Sequence, residues 1–267
     1  MPRADLGLRL TPPATFLGRG HHNRVMAQEY EVLSSAARSP ETIADGVIIE
    51  VVSDVVCPWC FIGKRRLEKA LKLLGRQDVQ IHWTAFELNP DISKAGVDRQ
   101  EHRIRKFGSL SRARQLETHV AAAGAEEGIE FRFDRIERMP NTFDAHRLIW
   151  LAGRQGLQNA LVERLFQAYF IDGEDVGNHE VLKRIGKQSG LDSGGVESLL
   201  GSDFGAEEIR VEKNRARVEG VNGVPTFFVS GVPITSGAHK PQILATLLGR
   251  ALEPTSQNCT LDDEKCA

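Results

Sequence analysis

The chain has 267 residues, with 34 Lys+Arg against 36 Asp+Glu for a formal net charge of −2, and 41% of its residues are hydrophobic. That length and apolar content suit one large domain, or a domain carrying an insertion, with a sizeable core, and they exclude wholesale disorder. The balanced charge argues against nucleic-acid and membrane-surface partners, and no run approaches the ~18 apolar residues of a membrane span.

Residues 1–26 hold Arg3, Arg9, Arg19 and Arg24 but one acid, Asp5, and show no clean periodicity. Without the continuous apolar stretch of a secretory signal, segment 1–45 reads as a disordered arm, with an organelle transit peptide as the alternative. With no export signal, the cytoplasm is the expected compartment.

Order is expected from Val47. Val47-Ile48-Ile49-Glu50-Val51-Val52 is a β-branched run of the buried-strand type. Ser53-Asp54-Val55-Val56 leads to Cys57, and Pro58 stands where the first residue of a helix belongs. Gly63, Leu67, Leu71 and Leu74 then mark one face of a helix stopped by Gly75. Val79 to Phe86 alternates as a second strand, so strand, helix and strand imply a βαβ crossover with a parallel pair.

Residues 98–219 read as helical. Asn141 or Thr142 can cap a segment with Phe143, Leu148, Ile149 and Trp150; Leu161, Val162, Leu165, Phe166 and Tyr169 recur at helical spacing. Asn178 can cap the helix carrying Val181, Leu182 and Ile185, and Ala206 to Glu219 opens on two glutamates and stops at Gly220. A β run follows at Val224-Pro225-Thr226-Phe227-Phe228-Val229. Ser230-Gly231 forms a hairpin turn, and Val232 to Thr235 returns antiparallel. A last helix carries Ile243, Leu244, Leu247 and Leu248 as its apolar stripe. The whole is an α/β chain.

The four cysteines form two unlike pairs. Cys57-Pro58-Trp59-Cys60 sits at the strand-to-helix junction, whereas Cys259 and Cys266 are spaced C-x6-C in a polar tail. A thiol attacks as its thiolate, and a helix N-terminus favours negative charge, so Cys57 is the expected attacking thiol and the more exposed one. Cys60, on the first turn, is the resolving thiol. Pro58 fixes the helix start and Trp59 shields the pair; both tune its redox poise. Zinc held by all four cysteines is the competing chemistry, but a pair opening an amphipathic helix some 200 residues from a C-x6-C pair does not match zinc-ribbon spacing, so no metal is expected. Pro225, at the start of a strand, suits an edge, a turn or a cis bond.

Ser53-Asp54-Val55-Val56-Cys57-Pro58-Trp59-Cys60-Phe61-Ile62-Gly63, together with Gly223-Val224-Pro225-Thr226-Phe227, resembles the DsbA-like thioredoxin-fold oxidoreductases, most closely their FrnE-type branch. The resemblance covers about residues 46–252. It implies a thioredoxin fold with a helical insertion domain: 46–97 and 220–252 as the thioredoxin-like part, 98–219 as the insertion, and 253–267 as a cysteine-containing tail. It implies a thiol–disulfide oxidoreductase or isomerase acting on protein or peptide thiols, with no bound cofactor and with glutathione as a conceivable co-substrate. It also implies a cis Pro225 facing the Cys57 sulfur, and a substrate-binding segment of Val224, Pro225 and Thr226 whose Val224 backbone pairs with a substrate strand. The tail pair Cys259 and Cys266 resembles a C-terminal cysteine pair found in part of that branch and is expected to exchange with Cys57–Cys60 as an accessory redox pair, with an adventitious tail disulfide as the alternative.

One position departs from better-known thioredoxins. Their buried acid six residues before the first cysteine is replaced by Val51, leaving Asp54 or Glu50 as substitutes. Asn141-Thr142 and Ala145-His146 also resemble the family's insertion helix, in a packing or a cleft-lining role. Two other functions compete: a glutathione-dependent transferase or isomerase of the kappa and chromene-carboxylate type, against which Cys57 in place of serine argues, and a non-enzymatic holdase using the cleft near Trp59.

Overall fold

In the computed structural model, residues 47–252 are described; the expected arm at 1–45 and the tail with Cys259 and Cys266 lie outside the described residues. The β-branched run forms β1 (Val47–Ser53), and Pro58 opens α1 (Pro58–Leu73), whose buried face includes Cys60, Gly63 and Leu67. β2 (Val79–Ala85) follows and pairs in parallel with β1, from Val47 opposite Val79 to Ser53 opposite Ala85.

The stretch expected to be all helical begins and is interrupted by a small ribbon. β3 (Val97–Asp98) precedes α2 (Arg99–Phe107) and α3 (Leu110–Ala125), then pairs antiparallel with β4 (Arg138–Met139). Two-residue strands are too short to show any alternation, so the sequence pattern could not reveal them. α4 (Phe143–Gly153) and α5 (Gln158–Gln167) come next, and α5 runs into a π-helical turn at Ala168–Asp172. α6 (His179–Gln188), α7 (Ser193–Leu200) and α8 (Ala206–Val218) complete the segment.

Caps follow side-chain chemistry. Asp98, Ser109, Asn178 and Asp192 each accept a backbone N–H at the start of α2, α3, α6 and α7. At α4 the capping oxygen belongs to Asn141, which accepts from the Phe143 N–H at 3.0 Å, while Thr142 makes no side-chain cap.

The last strand pair corrects the expected β run. β5 spans Thr226–Val229, so Val224 and Pro225 lie in the loop before it. Ser230 (φ 49°) and Gly231 (φ 79°) both have the positive φ that a type I′ turn demands, and β6 (Val232–Ser236) returns antiparallel. α9 (Pro241–Leu252) ends the described chain; Leu244 and Leu248 are fully buried, but Ile243, expected on the same stripe, is 50% exposed.

The sheet order is β2-β1-β5-β6. Ile49 and Val51 of β1 join Phe227 and Val229 of β5, with residues of α1 and α9, in the main core. Val52 and Phe228 point the other way, onto Ala216 of α8 and Val221. α1 and α9 therefore cover one face and α8 the other, while α4 and α5 close over β2, where Trp83 packs edge-on against Phe166 at 6.3 Å. Among the described residues no helix is long and apolar enough to cross a membrane.

A buried polar centre ties the helices together. Arg147, 3% exposed, donates to the carbonyls of Leu199, Ser202 and Phe204 and to Asp144 at 2.7 Å, and Asp144 also faces His179 Nε2 at 2.9 Å. Burial opposes the charge on Asp144, but Arg147 and His179 more than offset it and hold its pKa below the usual aspartate value. A carboxylate depressed in the folded state adds stability that is present above its unfolded pKa of about 4 and lost as pH falls through the folded value. Urea titrations between neutral and strongly acidic pH should therefore show an acid limb of instability, and Asp144→Asn should flatten that limb while lowering stability at neutral pH.

Candidate active site

Cys57 is the N-cap of α1: its backbone is extended, and its carbonyl accepts from the N–H groups of Cys60 (3.0 Å) and Phe61 (3.4 Å). Its thiol thus sits where the first amides of the helix are unpaired. Cys57 is the less buried of the two thiols, at 4% exposure against 0% for Cys60, but it is no open surface group. Burial, and then the neighbouring Cys57, push the Cys60 pKa well above the usual thiol value, with Ser53 and the Asp54 backbone acting in the opposite direction.

Two loops converge on this helix start. The Val224–Pro225 peptide is cis, and the Cys57 Sγ lies 3.6 Å from the Val224 carbonyl oxygen, toward which its S–H donates. Pro225 rests on α1 at Gly63: a methyl group built there would stand 2.8 Å from Pro225 Cγ, so only glycine permits the approach. Thr226, by contrast, turns away. Its hydroxyl donates to the Gly223 carbonyl at 2.7 Å and meets Ser236 Oγ at 2.9 Å, tying the loop to β6.

The two carboxylates considered in place of Val51 have different settings. Glu50 accepts from Thr84 Oγ1 at 2.6 Å and pairs with Arg215 of α8, on the sheet face away from α1. Asp54 is fully buried beside the redox turn. It accepts from the Val56 and Leu88 N–H groups at 3.4 and 2.7 Å, and His146 Nε2 lies 3.4 Å from its Oδ1. His146 is therefore packed inside, 2% exposed, and does not line the cleft at Cys57.

Cys57, Pro58, Trp59 and Val224 together border a cavity of about 410 Å³. Its far wall comes from α2, α3 and the segment around β4 and the π-helical turn, including Leu116, Phe133, Ile136, Met139, Tyr169 and Phe170. Trp59 is half-buried at the mouth, its ring 5.9 Å from that of His119. The same wall carries Arg99, Arg103 and Lys106, one helical face of α2, and Glu117 of α3. Spacing alone marks these three cations as a solvated basic stripe; only the fold, which sets α2 along the cavity that Cys57 borders, makes them part of a site.

The DSBA-like thioredoxin domain, as a family, matches residues 48–249. The chain belongs to that family, one of thiol–disulfide oxidoreductases. Among curated proteins it is similar to the uncharacterized protein YwbO of Bacillus subtilis, 28% identical over 195 residues, or 73% of this chain and 92% of that one. Among solved structures it is similar to a probable DsbA oxidoreductase of Streptomyces coelicolor: 31% identity, TM-score 0.73, covering 83% of this chain and 96% of that one. The fold is also that of the cytosolic disulfide reductase DsbM of Pseudomonas aeruginosa, at 14% identity and TM-score 0.55, covering 78% of this chain and 100% of that one.

In this DSBA-like domain the seat of Pro225 on Gly63 sets how the loop meets Cys57. Gly63→Ala forces the ring or the helix to move and, as an overpacked substitution, should cost about 1–3 kcal/mol of stability. Its rate of disulfide exchange should fall more than its folded fraction does, as read by stopped-flow mixing beside a urea denaturation curve.

Proposed function

We propose that this DSBA-like domain exchanges disulfides with protein or peptide thiols, Cys57 attacking and Cys60 resolving. The observation that carries the reading is the unequal setting of the two thiols. Cys57 caps a helix and borders a cavity, whereas Cys60 is sealed behind it with its pKa pushed up by burial. A thiolate is favoured by helix-terminal amides and disfavoured by an apolar surround, so the nucleophile is the outer sulfur.

In the reducing direction the Cys57 thiolate attacks one sulfur of a substrate disulfide. A Cys57–substrate bond forms, and the second substrate sulfur leaves with the electron pair. Cys60 then gives up its proton and displaces the first substrate sulfur, leaving a Cys57–Cys60 disulfide and a reduced substrate. Pro58 and Trp59 tune the poise of that disulfide. Next to the attack site the Val224 backbone pairs with the substrate chain in strand fashion, Pro225 sets the loop's angle to the sulfur, and Thr226 holds the loop in place. Glutathione serves as the co-substrate that returns the pair to the dithiol, in keeping with a cytoplasmic setting that reduces disulfides.

Insulin reduction tests this. The wild-type protein should precipitate insulin B chain in the presence of a thiol donor, and Cys57→Ser should lose about two orders of magnitude or more in rate. Cys60→Ser should trap a mixed disulfide on Cys57, seen as a mass increment. Turnover retained in Cys57→Ser would remove the assignment, and aggregation suppression that survives loss of both cysteines, without any turnover in the wild type, would mark a holdase instead.

A further inference from the structure

We propose that the cavity beside Cys57 is a carboxylate site, so that the preferred substrate presents its reacting sulfur on an apolar group carrying a carboxylate. This rests on the reading of Cys57 as the attacking thiol and specifies what reaches it. The cavity, about 410 Å³, falls within the ~300–1,000 Å³ of small-molecule pockets and is walled mainly by aromatic and aliphatic side chains. An apolar group therefore fills most of it.

The charge on the wall does not balance. Arg99 and Arg103 are 7% and 8% exposed, and both pair with the same carboxylate: Arg99 Nη2 with Glu117 Oε1 at 2.6 Å, Arg103 Nη2 with Glu117 Oε2 at 2.5 Å. Both oxygens of Glu117 are thereby used, and Glu117 is the only acidic residue lining the cavity among the described residues. Among the described residues Lys106, the third cation, has only the neutral Asn89 Oδ1, at 3.0 Å. Three positive charges thus face one negative charge.

A polar orphan points the same way. Among the described residues, Arg103 Nε is buried without a partner, and so is Nε2 of the adjacent His102, which also lines the cavity and is 6% exposed. Beside its one acid Arg103 also has two cations: burial lowers its pKa, Glu117 raises it, and Arg99 and Arg114 lower it further. A buried cation short of counter-charge is costly, and a ligand carboxylate that supplies it gains a charge-assisted hydrogen bond in a low-dielectric site. The carboxylate can come from an acidic residue next to a substrate cysteine or from a small aromatic or aliphatic thiol. The chemistry at the wall is the same.

The test compares two aromatic disulfides of similar size, dithiobis(nitrobenzoic acid), with a carboxylate on each ring, and dithiodipyridine, with none. Each is mixed with the reduced full-length protein carrying Cys259→Ser and Cys266→Ser, so that only Cys57 and Cys60 report. Cys57 attacks a probe sulfur, the probe disulfide breaks and one aromatic thiolate leaves; Cys60 loses its proton to solvent and displaces the second, so the protein dithiol is oxidised as the probe is reduced.

The readout is the ratio of the two rates, divided by the same ratio for a free cysteine peptide. The expected normalised preference for the carboxylate probe is about tenfold, the size of one charge-assisted hydrogen bond. Arg103→Gln and, separately, Lys106→Gln should each lower that ratio several-fold. Lys106 is exposed and its replacement keeps the test open if Arg103→Gln fails to fold by circular dichroism.

A normalised ratio near one in the parent protein, or an unchanged ratio in Lys106→Gln and in folded Arg103→Gln, overturns the proposal. If that happens while Cys57→Ser abolishes reaction with both probes, the oxidoreductase reading stands and only the carboxylate site falls. If Cys57→Ser still reacts like the parent, the oxidoreductase reading falls as well. Peptide disulfides with Glu or Gln beside the cysteine then identify the source: discrimination in favour of Glu marks an acidic protein segment, and its absence beside a probe preference marks a small thiol.

Discussion

The close approach of α1 to the 224–225 loop is the constraint on which the site depends. At Gly63 the helix offers no side chain, and the Pro225 ring occupies the space a methyl group would take. That seat brings the Val224 carbonyl to 3.6 Å from the Cys57 sulfur, so a helix start and a loop more than 160 residues apart in the chain are set against each other by one missing side chain. The helix start supplies the electrostatics and the loop supplies an edge along which a chain can lie.

The two sulfurs of the motif are separated by burial rather than by distance along the chain. One turn of helix moves the second thiol from the border of a cavity into full enclosure, with Ser53 and the Asp54 backbone beside it. In the proposed exchange, attack and resolution are thereby divided between the two before any substrate arrives. The carboxylate in this neighbourhood is Asp54, held by backbone amides with His146 Nε2 3.4 Å away, in place of an acid at position 51, where Val51 is simply part of the core.

Much of this organisation was legible in residue patterns, for reasons that also mark where legibility stops. The β-branched run at 47–52, the proline at the start of α1, the cap at Asn178 and the paired glutamates in the first turn of α8 are local signals, and they mark their elements within a residue or two. The β3–β4 ribbon and the π-helical turn are not local: a two-residue ladder exists only because Val97 meets Met139 across the fold, and the widened turn follows a helix whose periodicity it continues. Ile243 shares spacing with Leu244 yet faces outward, because the stripe it belongs to is wider than the surface α9 covers. The cavity wall was the least legible part. Arg99, Arg103 and Lys106 at helical spacing describe an ordinary solvated face, and nothing in that spacing places Cys57 opposite them.

The wall opposite the thiols has a further significance. It is carried on α2, α3 and the stretch around β4, between the halves that build the sheet, and its one acid, Glu117, pairs with Arg99 and Arg103 on the same wall rather than with the strands. Under the proposed reading, a replacement on this wall changes what the cavity accepts without touching the helix start that carries Cys57 and Cys60. Selection and sulfur exchange would then be housed on separate stretches of one chain.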